Sequence, residues 1–161
     1  MPFAIGIEHT KTETNVGTLM RSAFNFGASL VFTVGRRYRR QSSDTVAAFK
    51  HIPLLHFADW DEARRGLPMD WQPVIVELGE GAQSLPTFCH PKRAVYVLGP
   101  EDGSVSQIVQ ARYRTRVVIP SRYCLNVAAA GSIVMYDRIA KEEVAAGVAL
   151  ADGRAADGRA L

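Results

Sequence analysis

The 161-residue chain predicts an α/β fold, a parallel sheet covered on both faces by helices. Three observations carry that expectation. Apolar runs of strand length alternate with stretches of helical period, the runs are apolar almost throughout rather than at every second residue, and the strongest of them break at glycine. The length fits one domain at a prior of about 150 residues each. A chain of this size buries about 70% of its unfolded surface, so its core needs no disulfide or metal.

Residues 3–8 are the first strand candidate. Over 15–26, Val16, Leu19, Met20, Ala23 and Phe24 line one face of a helix, with Asn15 as expected N-cap and Gly27 as terminator. A buried strand follows at 29–34, then the basic loop Arg36-Arg-Tyr-Arg-Arg40. Ser43 or Asp44 is expected to cap a short helix through Phe49, and 53–57 to form another strand. Residues 59–67 predict a short exposed helix, acidic at its start and basic near its end, as the helix dipole favours. Residues 73–78 and 93–98 read as strong strands. Ser104 is expected to cap a helix to Ala111, 116–119 to be a further strand, and Asn126 to cap a long helix to about residue 146. The domain is therefore expected to span 1–146. The remainder, 147–161, repeats Ala-Asp-Gly-Arg-Ala, is too poor in apolar anchors to pack, and is expected to be disordered.

Composition narrows the function classes. Hydrophobic residues at 47% and charged residues at 22% exclude a disordered chain, a collagen-like repeat and a coiled coil. The longest apolar run, 127–136, is about half a membrane span. No signal peptide is readable, so the expectation is a cytoplasmic protein with no membrane association. Cys89 and Cys124 fit a reducing compartment. The net charge of +3 is uneven: seven basic against three acidic residues over 1–58, two against six over 59–80, ten against seven over 81–161. Fifteen of the 19 basic residues are arginine, the better phosphate fork, although genomic base composition gives the same bias.

In a parallel α/β sheet a ligand lies outside the carboxyl ends of the strands. Gly79, Gly99 and the Pro120-Ser121 turn fall at that edge, and three segments carry the candidate chemistry. Asn15-Val-Gly-Thr-Leu-Met-Arg21 is either a capped helix with a solvated arginine or an arginine held on a rigid element to engage phosphate or a reacting hydroxyl. Leu98-Gly-Pro-Glu-Asp-Gly103 is a tight turn, or a loop where Gly99 admits a ligand to the backbone and Glu101 orients an arginine or accepts a ligand hydrogen bond. Pro120-Ser-Arg-Tyr-Cys-Leu-Asn-Val127 is an irregular segment whose backbone, if buried, needs polar partners, with Cys124 expected to be a small buried residue. No histidine has a partner pattern for a triad or metal site, so no metal is expected. The 36–40 run with Tyr38 is a nucleic-acid contact or a solvated loop.

In this order and spacing the three segments resemble the motifs of the SpoU (TrmH-like) RNA 2′-O-ribose methyltransferases of the SPOUT superfamily. The matching text is Asn15 to Arg21, Val97-Leu-Gly-Pro-Glu-Asp-Gly103, and Ile119-Pro through Cys124-Leu-Asn-Val-Ala128 to Tyr136-Asp137. The likeness covers about residues 3–142. It implies an α/β knot, with a deep C-terminal trefoil, that binds S-adenosylmethionine and works as a homodimer through the apolar 126–140 helix. Arg21 then matches the arginine that assists deprotonation of the ribose 2′-hydroxyl, with Asn15 and Glu101 supporting it. Glu77, Leu98, Gly99, Ile119, Cys124, Leu125 and Asn126 align with the cofactor loops. Cys124 departs from the serine usual there, and a thiol is the weaker donor. The resemblance implies methyl transfer to RNA, tRNA before rRNA because the chain is short. A non-catalytic RNA-binding protein of the same fold and a base methyltransferase are the alternatives. Arg36, Arg37, Tyr38, Arg39, Arg40 and Arg122 are the expected RNA contacts.

Overall fold

Strands can be apolar along their whole length only when helices cover both faces, and that is what the sequence folds into. The computed structural model describes residues 1–35 and 48–147. Among them seven strands form one sheet in the order β3-β2-β1-β6-β4-β7-β5. They are β1 (Phe3–Glu8), β2 (Leu30–Val34), β3 (Leu54–Phe57), β4 (Gln72–Val76), β5 (Gln83–Ser84), β6 (Ala94–Leu98) and β7 (Arg116–Val118). Every pairing is parallel. Four helices cover it: α1 (Glu13–Asn25), α2 (Trp60–Gly66), α3 (Gln107–Arg112) and α4 (Val127–Ala145).

The strand pleat sorts side chains to two cores. Phe3, Ile5 and Ile7 of β1 join Tyr96, Leu98, Leu19 and Met135 under α1 and α4. Ala4 lies on the other face with Val95, Val97, Trp60 and Val109 under α2 and α3. Close contact of α1 with α4 depends on Gly131, where a Cβ would sit 2.5 Å from Leu19 Cδ1. The small residues of α4 thus serve packing within the chain.

Most expected elements form, with shifted ends. Asn15 is not the cap of α1: the helix begins at Glu13 after Thr12, which frees the Asn15 side chain for other work. Gly27, at φ 72°, does stand beyond its end. Residues 48–50 form one 3₁₀ turn, and the rest of the expected helix before it, with its caps Ser43 and Asp44, lies outside the described residues. The α2 helix forms where expected, with Asp59 as its cap, yet it is not simply exposed, since Trp60 and Ala63 are buried. Strand β4 stops at Val76 and β7 at Val118 because beyond them the chain turns into the cavity described below. Ser106, not Ser104, precedes α3, because buried Glu8 accepts from both its N–H (2.8 Å) and its hydroxyl (2.9 Å). Asn126 caps α4 as expected, accepting from the N–H groups of Ala128 and Ala129. The two-residue β5 lies below the length at which hydrophobic patterning signals a strand. The expected tail, save Gly147, lies outside the described residues.

At the amino end of β6 the chain encloses a charge. Arg138 of α4 is fully buried and donates to the carbonyls of Pro91 (2.8 Å) and Lys92 (3.1 Å) and to the Tyr96 hydroxyl (3.0 Å). Its Nε lies 2.9 Å from Glu142. The Tyr96 hydroxyl meets His90 Nδ1, whose Nε2 lies 2.8 Å from Asp137. Burial pushes the His90 imidazole below its ordinary value against the pull of Asp137, so the neutral ring donates through Nε2 and accepts at Nδ1. Burial likewise raises the Tyr96 hydroxyl to about 12, with Arg138 opposing. His90, read from the sequence as having no partner pattern, therefore has two partners. They come from residues 6 and 47 positions away, which no local pattern reveals.

Candidate active site

Strands β4, β6 and β7 are neighbours, and their carboxyl ends open on a cavity of about 270 Å³. Its apolar wall includes Leu98, Ile119, Leu125, Val127 and Ala130, and its polar residues include Glu77 and Glu101. This is the place an α/β sheet offers a ligand. Of the residues named from the sequence for the cofactor, Glu77, Leu98, Gly99, Ile119, Cys124 and Leu125 line it. Asn126 does not line it and works just behind, between Leu125 and Val127. Val76, Leu78, Ser104, Val118 and Ala130 also line it, each one turn or one residue from a named position.

Three segments distant in sequence are tied together beside this cavity. Asn126 Oδ1 accepts from the first N–H groups of α4, which leaves its Nδ2 to donate to Asn15 Oδ1 at 3.0 Å. Asn15 Nδ2 then donates to Glu101 Oε1 at 2.5 Å. The helix end and the carboxylate fix the orientation of both amides, since reversing either would set donor against donor. Asn15 is thus an inter-segment link rather than a cap.

Glu101 does not orient an arginine. Its carboxylate gathers the β1–α1 loop, accepting from the Thr10 hydroxyl (2.6 Å) and from the N–H groups of Lys11 (2.9 Å) and Thr12 (3.3 Å). Partial burial works to raise this carboxyl, but the Lys11, Thr10 and Asn15 donors outweigh it and hold it at about 2, below the usual 4.5. A carboxyl held low stabilises the fold in full above about 4.5, and that contribution is lost as pH falls toward 2. Urea unfolding of the wild type and Glu101→Gln is therefore expected to differ most above pH 5, with the two midpoints converging near pH 2. Parallel curves would contradict this assignment.

Gly99, which lines the cavity, also has a use within the chain. A Cβ there would lie 2.8 Å from the backbone nitrogen of Val105, so the glycine admits the chain's own loop. The Val105 N–H in turn donates to Glu77 at 3.1 Å, tying the second loop to the end of β4. Gly99→Ala is expected to destabilise by about 1–3 kcal/mol in urea unfolding, because backbone must move.

The 120–126 segment is exposed rather than buried, and Cys124 with it. Its turns meet solvent, so its backbone needs no ligand to satisfy it. Arg21 is exposed on α1, is not among the cavity residues, and has no hydrogen bond or ion pair among the described residues. Arg122 is exposed on the loop beside the cavity, whereas Arg36, Arg37, Tyr38, Arg39 and Arg40 lie outside the described residues.

The profile of the family described as "SpoU rRNA Methylase family" matches residues 2–136. No curated protein matches the chain. Among solved structures, the chain is similar to an AdoMet-bound rRNA methyltransferase from Sinorhizobium meliloti, at 21% identity and a TM-score of 0.74, over 87% of this chain and 56% of that one. It is similar to the A. aeolicus TrmH/SpoU tRNA modifying enzyme at 19% identity and a TM-score of 0.76, over 89% and 77%. A protein described under "Structural insights into the 2-OH methylation of C/U34 on tRNA" aligns at 19% identity and a TM-score of 0.73, over 89% and 97%. The chain thus spans little more than half of the first of these and nearly all of the last.

Proposed function

From the premise that this chain belongs to the SpoU rRNA methylase family, we propose that it transfers a methyl group from S-adenosylmethionine to a ribose 2′-hydroxyl of RNA, tRNA before rRNA. The observation that carries the reading is the cavity at the ends of β4, β6 and β7, tied to the Asn126–Asn15–Glu101 link. At about 270 Å³ it lies just under the range of small-ligand sites, about 300–1,000 Å³.

The lining fits this cofactor by its chemistry. Apolar walls from Leu98, Ile119, Leu125 and Val127 suit a base and the aliphatic part of a methionine chain, and the Glu77 and Glu101 carboxylates suit a cationic sulfonium. Cys124 lines the cavity as a weak donor, so contacts there fall to the backbone. The cofactor supplies an already activated methyl group. What is left for the chain is to exclude water, align the acceptor oxygen and help remove its proton. Arginine stays charged and cannot take that proton unaided. In this reading Arg21 bridges the hydroxyl and an RNA phosphate, so that the proton passes to the phosphate oxygen while the guanidinium lowers the cost of the developing alkoxide.

A homodimer and the trefoil path belong to the same reading. The exposed Ile133, Tyr136 and Val144 of the α4 helix favour a subunit contact, and Arg21, off the cavity wall of its own chain, would face the neighbour's. Support for tRNA is the likeness, over 89% of this chain and 97% of that one, to the protein described with tRNA methylation. No helix among the described residues is long and apolar enough to cross a membrane.

The test is transfer of labelled methyl from S-adenosylmethionine to unmodified tRNA and to ribosomal RNA, followed by nuclease digestion to locate it. A 2′-O-methyl nucleoside from tRNA is expected. A methylated base, or no transfer to either RNA, would overturn the reading, and label in ribosomal RNA alone would overturn the tRNA preference.

A further inference from the structure

The loop joining β7 to α4 does two things at once. Ser121, Cys124 and Leu125 line the cavity, while Tyr123 among them does not and is 80% exposed. An isolated aromatic on a surface is ordinary. This one is held. Its carbonyl accepts from the Ser121 hydroxyl at 2.9 Å, and the loop is anchored downstream by the Asn126 cap. Arg122 beside it is exposed and has no hydrogen bond or ion pair among the described residues. A wet aromatic ring, a free arginine and a cavity mouth thus fall within four residues.

We propose that Tyr123 is the platform on which an unstacked RNA base lies beside the cavity, with Arg122 on the adjoining phosphate. The inference rests on the RNA-methyltransferase reading and sharpens its substrate class. A ring can take a base face only where that base has left its own stack, so the target nucleotide sits in a loop or single strand and not within a duplex. Arginine beside the ring supplies the charge that follows the backbone, and stacking adds affinity without reading sequence. The ring, not the hydroxyl, does this work.

The test titrates a ten-nucleotide oligouridylate, and a blunt RNA duplex of equal length, into the wild type and the Tyr123→Trp, Tyr123→Phe and Tyr123→Ala variants. Trp60 and Trp71 set the wild-type fluorescence baseline. Tyr123→Trp is expected to show extra saturable quenching with the single strand and none with the duplex. Tyr123→Ala is expected to weaken single-strand binding about tenfold, within the range for loss of one stacked base, and Tyr123→Phe to restore it. Calorimetry with S-adenosylmethionine, unchanged across the variants, shows that the site remains folded. Single-strand affinity equal in Tyr123→Ala and wild type, or equal quenching by duplex, overturns the proposal and leaves the methyltransferase reading standing. A wild type that binds S-adenosylmethionine but neither RNA overturns the proposal, whereas absence of methyl transfer to both tRNA and ribosomal RNA overturns the reading it rests on.

Discussion

Arg21→Ala is expected to fold, to bind S-adenosylmethionine as the wild type does, and to lose methyl transfer by about a hundred- to ten-thousandfold, the usual worth of a group that assists proton removal. The position makes the two halves of that result separable. Arg21 is exposed on α1 and has no partner among the described residues, so its truncation removes no packing and orphans no buried group. It does not line the cavity, so calorimetry with the cofactor has no reason to change. Loss confined to kcat, with cofactor affinity and the unfolding midpoint held, is the pattern of an interaction made only as the hydroxyl gives up its proton. Arg21→Lys keeps the charge and loses the fork, and is expected to recover only part of the rate. Near-normal turnover by Arg21→Ala would remove this residue from the mechanism.

Arg138→Ala is expected to cost stability where Arg21→Ala costs none. Its side chain is fully buried, its donors reach the Pro91 and Lys92 carbonyls and the Tyr96 hydroxyl, and its charge pairs with the Glu142 carboxylate. Truncation leaves a carboxylate and two carbonyls short of partners and opens a cavity. Breaking one side of a buried charge network costs about 3–5 kcal/mol. For a domain of this size that lowers the melting temperature by about 10 °C. Thermal unfolding checks the magnitude, and hydrogen exchange over 85–93 checks the location, because Arg138 and Lys141 hold that segment to α4. Replacing Arg138 and Glu142 together by Met and Leu is expected to recover much of the loss, since the penalty lies in the unpaired charge.

How much of this was legible depended on range. The Val16, Leu19, Met20, Ala23 face and the apolar runs at β1, β2, β4 and β6 declare themselves within a few residues, because pleat and helical period are local properties. Asn126 as a cap was readable for the same reason. Asn15 was misread as a cap by that logic: its residue type suits a helix start, but Glu101 and Asn126, 86 and 111 residues away, claim its amide. Ser106 displaced Ser104 because of Glu8, 98 residues upstream, although an acid closing the apolar run FAIGIE was a signal that could have been followed. Cys124 was expected inside on the usual habit of free cysteine, and its loop instead runs along the rim. The cavity residues named from the sequence came from ordered motifs, not from periodicity, and the folded chain gathers most of them at one edge.

The link through Asn126, Asn15 and Glu101 also sets an order of events in synthesis. Its members come from the beginning, the middle and the last helix, so no early fragment of the chain can close it. Strands β1, β2 and β3 can pair while the rest is still being made, but β1 must wait for β6 on its other side, and the cavity for α4. Contacts this distant pay their loop-closure entropy before they return any stability, which makes their formation late and slow. A half-made chain therefore has no competent site, and ligand binding reports the arrival of the final helix.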